Sequence, residues 1–284
     1  TYVRRQNEQS LVLKVCNLED GDSRAAYKNF NDDYRTYKRI KMFVHAESSG
    51  EDESLLRDGD LSMFIRIGTD FNNNYYEYEI PLKLTPWETS KLESDIIWPI
   101  QNELDIAFKL LQNVKQERNR SNADVKEPFV SFDGQNKITV VGNPNLSQVK
   151  TIMLGLRNPK KGVETIFNDD GLSKCGEVWL NELRLSDFDE RGGMAANARL
   201  NARMADFANI NLSGSMSTVG FGSIEQTLTD RQKYNAYQYD FSSTFSLGSF
   251  FPEKIGLKVP MYLGFSEIIQ NPEYNPLDPD ITLK

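Results

Sequence analysis

Beyond Gly193 the chain alternates between apolar and polar side chains. Met194, Ala196, Ala198, Leu200, Ala202 and Met204 are separated by Ala195, Asn197, Arg199, Asn201 and Arg203. Ala208, Ile210, Leu212, Gly214 and Met216 then alternate with Asn209, Asn211, Ser213, Ser215 and Ser217. Tyr239, Phe241, Phe245 and Leu247 do so with Asp240, Ser242, Thr244 and Ser246, Ser243 being the exception on the apolar side, and Ile255, Leu257, Val259, Met261, Leu263 and Phe265 share a face. A period of two sends successive side chains to opposite faces of a strand, so four strands with one apolar face each are predicted. Their lengths suit tilted strands crossing a bilayer, but a water-soluble antiparallel sheet with one wet face gives the same alternation. Pro260 argues against a regular central strand and implies an edge or a bulge. The connections at 206–207 and 248–254 are short, whereas 218–238 and everything after Ser266 are long. In bacterial barrels short turns are periplasmic and long loops extracellular, so the strand at 194–204 is expected to run inward and whatever precedes it to lie on the cell-surface side.

Upstream, from about Ser10 to Phe188, the pattern breaks into short β runs between turn residues. Strands are predicted at 10–18, 37–47, 61–68, 75–84, 137–141, 149–156 and 177–185. Seven such runs suggest two packed sheets, a jelly-roll-like β-sandwich. One stretch has a helical period: Ile100, Leu104, Phe108, Leu111 and Val114 recur at steps of three and four, predicting an amphipathic helix over about 99–118. Pro99 suits its first turn, and Glu103, Lys109, Lys115 and Glu117 form its polar face. The helix is expected to lie over the sandwich or a neighbouring domain. The segments at 48–53 and 72–74 read as solvated connections. The expected organisation is a mainly β chain with a sandwich over 1–188 and four antiparallel strands with long loops over 193–284. Its start at Thr1 and its stop at Lys284 read as those of an excised segment, for which a missing signal peptide carries no information.

Charge and candidate chemistry narrow the function more than they define it. The net charge of -8, partly gathered in Glu51-Asp52-Glu53 and Asn168-Asp169-Asp170, argues against a nucleic-acid surface. No apolar run approaches the ~18 residues of a membrane helix, so any insertion must use strands. Cys16 and Cys175 sit near the two ends of the sandwich, where first and last strands often pair; a disulfide and two half-buried thiols both fit. His45, the single histidine, lies in a strand pattern without a second histidine or a nearby thiol for a zinc set. No Gly-x-Ser-x-Gly elbow follows a strand, and Gly220-Phe221-Gly222 does not lead into a phosphate-binding helix, so it reads as a flexible loop. Asp58-Gly59-Asp60 and Asp169-Asp170-Gly171 can supply oxygen ligands for a structural calcium, although Asp-Gly is more often a turn. Glu77, Glu79, Glu177 and Glu182 are acidic strand residues, but nothing singles out a catalytic pair. Tyr75, Tyr76 and Tyr78 are read as packing rather than as a sugar-stacking platform. No catalytic, cofactor-binding or metal-binding residue is assigned, and no enzyme is expected.

The stretch GEVWLNELRLSDFDERGGMAANARLNARMADFANINLSGSMSTVGFGSIEQ resembles the corresponding region of the SprA/Sov family. QYDFSSTFSLGSFFPEKIGLKVPMYLGFSE, NPEYNPLDPDI, LEDGDSRAAYKNFNDDYRTYKRIKMFVHAE and the WPIQNELDIAF segment resemble it as well, so the likeness covers nearly the whole chain. The resemblance implies a segment of a very large outer-membrane β-barrel, the translocon of the Bacteroidota type IX secretion system, through which folded cargo leaves the cell, with a role in gliding motility in some members. It implies as partners the remainder of the parent barrel, accessory outer-membrane and plug proteins, secreted cargo and outer-membrane lipid. Nucleic acid and cofactors have no place in it, and the family offers no catalytic residues to carry over. Under this reading Arg199, Asn201, Arg203, Asn209, Asn211 and Ser213 face the lumen, and Leu200, Met204, Ile210, Leu212, Phe241, Phe245, Leu257 and Val259 face lipid. Four strands cannot close a barrel, so the others must come from elsewhere. The competing expectation is a soluble surface module whose sandwich binds glycan or a partner protein.

Overall fold

A computed structural model of the chain describes residues 9–48, 56–86, 94–162 and 170–283. The chain falls into two compact units, Thr1–Asp189 and Glu190–Lys284, and its sheets are antiparallel throughout. No described helix is long and apolar enough to cross a membrane, which says nothing of strands.

The first unit has two sheets. One has the order β1 (Leu11–Leu18), β10 (Lys174–Phe188), β3 (Tyr37–Ser48), β6 (Leu104–Ala107). The other has the order β2 (Ser23–Asp32), β9 (Val149–Arg157), β4 (Ser62–Gly68), β5 (Tyr75–Pro81), β8 (Asn136–Val141), β7 (Phe129–Asp133). The order is nested: the first strand lies beside the last, and the second beside the one before the last. Alternation explains the core. Ile40, Met42, Val44 and Ala46 on β3 share one buried cluster with Met63, Ile65 and Ile67 on β4 and with Tyr76, Tyr78 and Ile80 on β5. Every second residue of these strands enters that cluster, as a half-buried sheet requires.

All seven strands predicted in this region are present, and three more were not foreseen. Strands β2 and β7 are the two edges of the larger sheet and are mostly exposed, so they lack the apolar alternation by which strands are recognised. The third, β6, corrects the helix boundary. Pro99 stands between the short helix α1 (Ser94–Ile97) and a 3-10 turn at Ile100–Asn102, β6 follows, and the helix α2 spans only Phe108–Arg120. Leu104 fits a period of two with Ile106 as well as it fits the helical period. Pairing with β3 decides between them, because Asp105 then meets Arg39 at 2.7 Å and Lys41 at 3.2 Å. Ile100 ends up exposed, and the buried face of α2 is Phe108, Leu111, Val114, Lys115 and Arg118.

Lys115 is therefore a correction, because it was placed on the solvent face. Its Nζ donates to the Pro144 carbonyl at 2.8 Å, and Arg118 Nη1 donates to the Gly142 carbonyl. The turn after β8 presents carbonyls that are not used in a ladder, and buried acceptors need donors. Two long basic side chains reach them while their methylene stems cover core residues.

Cys16 and Cys175 form a disulfide between β1 and β10. The register of this pair shifts between Val15 and Leu18, and Asn17 in the shifted segment has φ 55°. The bridge thus crosses the place where ladder pairing is interrupted, where Asn17 N–H turns toward Cys175 Sγ at 3.3 Å.

The second unit is a meander of β11 (Ala195–Met204), β12 (Ala208–Ser217), β13 (Tyr234–Ser246) and β14 (Pro260–Pro272), with a small hairpin of β15 (Tyr274–Asn275) and β16 (Asp278–Thr282). The sheet is open: among the described residues β11 and β14 each pair on one side only. The fourth strand begins later than predicted. Leu257 and Val259, assigned to a lipid-facing wall strand, lie before it in the turn at 247–259, with Ile255 in a 3-10 turn. Pro260 explains the shift, since a residue without an N–H is suited to the first position of an edge strand. It pairs with Ser246. The stretch after Ser266 is correspondingly strand to Pro272 and then hairpin, not one long loop.

Candidate functional site

Strand register in the second unit sorts its side chains into two continuous faces. Directly opposed residues share a face. Arg199 pairs with Ser213 and Ser213 with Asp240, Asn201 with Asn211 and Asn211 with Ser242, Arg203 with Asn209 and Asn209 with Thr244. Ser266 and Gly264 on β14 extend the first two of these rows. The polar face is linked sideways: Ser266 Oγ donates to Asp240 Oδ1 at 2.6 Å, Gln238 Nε2 to Asp240 Oδ2 at 3.0 Å, and Ser213 Oγ to Asp240 Oδ2 at 3.4 Å. All six residues assigned to a lumen lie on this face.

The opposite face is apolar in the same register. One row runs Leu200, Leu212, Phe241, Phe265, the next Ala202, Ile210, Ser243, Leu263, and the third Met204, Ala208, Phe245, Met261. Ser243 is the polar intrusion. It is fully buried, and its hydroxyl donates to the Asn209 carbonyl at 3.2 Å, so it presents no unpaired group. Leu200, Leu212, Leu263 and Phe265 are each about half exposed. Contiguous exposed apolar area of this kind marks a surface that something else covers. Of the eight residues assigned to lipid, Leu200, Met204, Ile210, Leu212, Phe241 and Phe245 share this face, while Leu257 and Val259 sit in the turn beyond it.

Glycines fix the point where the chain enters β11. A Cβ on Gly193 would fall 1.9 Å from Phe221 N, so the backbone of the 220–222 loop packs directly on it. That loop is tied by Gly220 N–H to the Gln232 carbonyl at 2.7 Å and by Gln232 N–H to the Phe221 carbonyl at 3.0 Å. It is a structural anchor for the start of the sheet.

In the first unit the residues that carry chemistry are engaged with each other. Arg157 bridges Glu77, at 2.9 Å, and Glu79; Arg66 also pairs with Glu77, and Lys137 lies 3.3 Å from Glu79. Burial works against ionisation of Glu77, but Arg157 and then Arg66 outweigh it and hold the carboxyl below its ordinary range. A carboxylate kept charged in this way is a poor proton donor near neutrality. Glu177 accepts from Trp179 Nε1 at 2.8 Å, and Glu182 pairs with Arg184 at 3.0 Å. Tyr75, Tyr76 and Tyr78 are buried, and Arg66 stacks 4.3 Å above the Tyr75 ring, so no tyrosine platform is open to a sugar. His45 Nδ1 donates to the Ile97 carbonyl at 2.8 Å, and its ring sits between Trp98 and Trp179.

The two acidic turns read as calcium ligands resolve differently. Asp169 lies outside the described residues. Asp58 accepts from Leu84 N–H at 2.8 Å and Asp60 from Arg57 N–H at 3.0 Å, around Gly59 at φ +86°. Lys174 Nζ then reaches Asp60 at 3.1 Å and Asp170 at 2.8 Å. A lysine ammonium stands where a metal cation was considered. Among the described residues no three His, Cys, Asp or Glu side chains gather in a metal-holding arrangement. Sequence reasoning missed this lysine because Lys174 carries no local signal: its burial follows from the pairing of β10 beside β1.

A family model, SprA_N, described as motility related/secretion protein, matches residues 1–284. No curated protein matches the chain.

Proposed function

This chain belongs to the SprA_N family of motility related/secretion proteins, and we propose from that premise that its second unit is a wall segment of an outer-membrane channel for folded cargo. The observation that carries the proposal is the pair of faces that stay in register across the four strands, one apolar and exposed apart from Ser243 and Glu267, the other polar on β11 to β13 and cross-linked by hydrogen bonds, with Tyr262 and Ile268 of β14 the large apolar residues on it. Strands of ten and thirteen residues are long enough to cross hydrocarbon when tilted. Lipid covers the apolar face and water fills the conduit on the other. Backbone groups on the open sides of β11 and β14 have no water to bind in a bilayer, so further strands of the parent barrel complete them.

The first unit acts as a scaffold and not as an enzyme. Its nested strand order supports a jelly roll, in which β7, β8 and α2 are an addition to one sheet. Its disulfide favours an oxidising compartment, which agrees with a cell-envelope role for the family. The chain reaches β11 at the end of the sheet where the 218–233 loop lies, and a longer loop is the extracellular kind. On that ground the first unit is extracellular. Accessory and plug proteins and secreted cargo are the partners that such a channel requires.

Single cysteines at Leu212 and Asn211 in the intact protein, displayed on cells, test the reading. A lipid-soluble maleimide is expected to label position 212, and a water-soluble maleimide position 211. The reverse pattern refutes the assignment of faces. Labelling of both positions by the water-soluble reagent favours a soluble sheet instead.

A further inference from the structure

The strands of the second unit are long enough to cross a bilayer, but the apolar rows they carry stop a little short of the full height of a barrel's apolar band. On the side of the 218–233 loop Glu267 enters the apolar face in the row of Ala198, Gly214 and Tyr239, and the row beyond, Ala196, Met216, Tyr237 and Ile269, is apolar again. From that outer row to the last one, Met204 to Met261, is eight residues, or ~27 Å along a strand and about 20 Å along the normal at a tilt of ~40°. A barrel's apolar band is ~25 Å tall. About 5 Å is left to cover, and the last row, Met204 to Met261, ends where residues 247–259 connect β13 to β14.

That connection is built for the purpose. It is not a tight hairpin but a folded, apolar-tipped turn. Leu247 N–H bonds to the Val259 carbonyl at 2.9 Å and Phe251 N–H to Gly248 at 3.1 Å, while a Cβ on Gly248 would meet Leu257 O at 2.3 Å. Phe250 is 70% exposed, and Phe251, Ile255 and Leu257 are exposed as well. Phe250 joins the apolar face through the neighbouring turn. Phe207, in the neighbouring turn, stacks on Phe245 at 5.8 Å and on Phe250 at 5.0 Å.

We infer that the 247–259 turn inserts into the headgroup–acyl boundary of the leaflet on its side of the membrane and completes the lipid-facing band that the strands begin. Aromatic rings at that depth form the girdle of a barrel, and exposed Lys254 and Lys258 extend their stems along it and their ammonium groups to lipid phosphates. This inference rests on the wall reading given above, and its test separates the two.

Nitroxide labels are placed in turn at positions 250, 255 and 212, each through the only reactive thiol, in the intact protein reconstituted into phosphatidylethanolamine/phosphatidylglycerol vesicles. Power saturation compares access of molecular oxygen with access of a water-soluble nickel chelate. Positions 250 and 255 are expected to favour oxygen over nickel, with 250 shallower than 212. Should nickel win at 250 and 255 while oxygen wins at 212, the insertion is refuted and the wall stands. If nickel wins at 212 too, the wall reading fails with it. Low access of both reagents at 250 and 255 means that protein covers the turn, which also overturns the inference.

Discussion

The ammonium of Lys174 lies 3.1 Å from Oδ2 of Asp60, and both side chains are withdrawn from solvent. Asp170 closes the site from the other side at 2.8 Å. Two segments distant in sequence are thereby joined through one cation: the turn before β4, and the start of β10 with the residues that lead into it.

Truncation of Lys174 to alanine leaves Asp60 buried without its counter-ion, and breaking a buried pair in this way costs about 3 to 5 kcal/mol. Chemical unfolding of the wild type and of Lys174→Ala measures the loss, and a difference under 1 kcal/mol refutes the assignment. Because the lysine already supplies the charge, added calcium or a chelator is expected to leave Tm unchanged. The pH dependence has two limits. The hydrogen bond from Lys174, then that from Leu172 N–H, holds Asp170 below the carboxylate range; its contribution is present above the ordinary pKa and is lost as pH falls through the depressed one. Burial opposes the charge on Lys174, but Asp170 and Asp60 raise its pKa overall, so its contribution is complete below the ordinary lysine value and is lost as pH rises through the raised one.

Reduction of Cys16–Cys175 is expected to destabilise the first unit by about 2 to 5 kcal/mol, since the bridge closes a loop spanning most of that unit. Asn17 and the interrupted ladder beside it give β1 few other ties at this point. Melting with and without reductant, together with Cys175→Ser, reads the effect. An unchanged Tm in both experiments shows that the bridge constrains nothing that unfolds.

A charge placed on the apolar face tests the membrane reading energetically. Leu212 lies in the third of five successive rows of that face, from Ala196–Ile269 to Met204–Met261, whereas its neighbour Asn211 faces the other way. Leu212→Arg is expected to cost about 2 to 4 kcal/mol near the bilayer midplane, and Asn211→Arg far less, because lumen positions remain in water. Yield of the folded, heat-modifiable barrel on unboiled gels is the measurement. Equal yields from the two variants contradict the assignment of faces.

What the sequence revealed depended on how many faces of a residue's surroundings were set locally. Strands such as β3 and β12 alternate because one face is apolar, and that rhythm is written in consecutive residues. Strands β2 and β7 lie at sheet edges with both faces largely wet, so their residues carry no rhythm to read. Leu104 satisfied two periods, and only its pairing with β3 decided between them. Lys115 reads as a solvent residue because charge normally is, and Lys174 draws no attention in the sequence; their partners Pro144 and Asp60 are supplied by tertiary structure, while Asp170 lies four residues before Lys174. In the second unit the two faces were legible down to single residues, since antiparallel neighbours joined in sequence keep each other's parity. The exception was 255–259, where the apolar spacing continues through a turn and mimics the strand that follows Pro260.

The same distinction applies to Arg157, whose guanidinium bridges Glu77 and Glu79 on the outward side of the larger sheet while stacking 4.7 Å above the Phe64 ring. Both carboxylates are buried there. Arg157→Ala is expected to cost about 3 to 5 kcal/mol by leaving them short of positive charge. Arg157→Lys recovers only part of this, since a point charge cannot donate to both carboxylates in the fork geometry of arginine. The sign of the pH effect follows from Glu77, whose pKa is depressed despite burial because Arg157 and Arg66 flank it. Its contribution is present above the ordinary glutamate value and disappears as pH falls through the lower folded value, so wild-type stability declines in acid. Glu77→Gln removes that titration. The variant is therefore less stable than wild type at pH 7, and the gap narrows toward pH 3. Denaturant unfolding across that range decides the matter: parallel pH profiles for the two proteins would mean that Glu77 is not the carboxylate through which acid weakens the sheet.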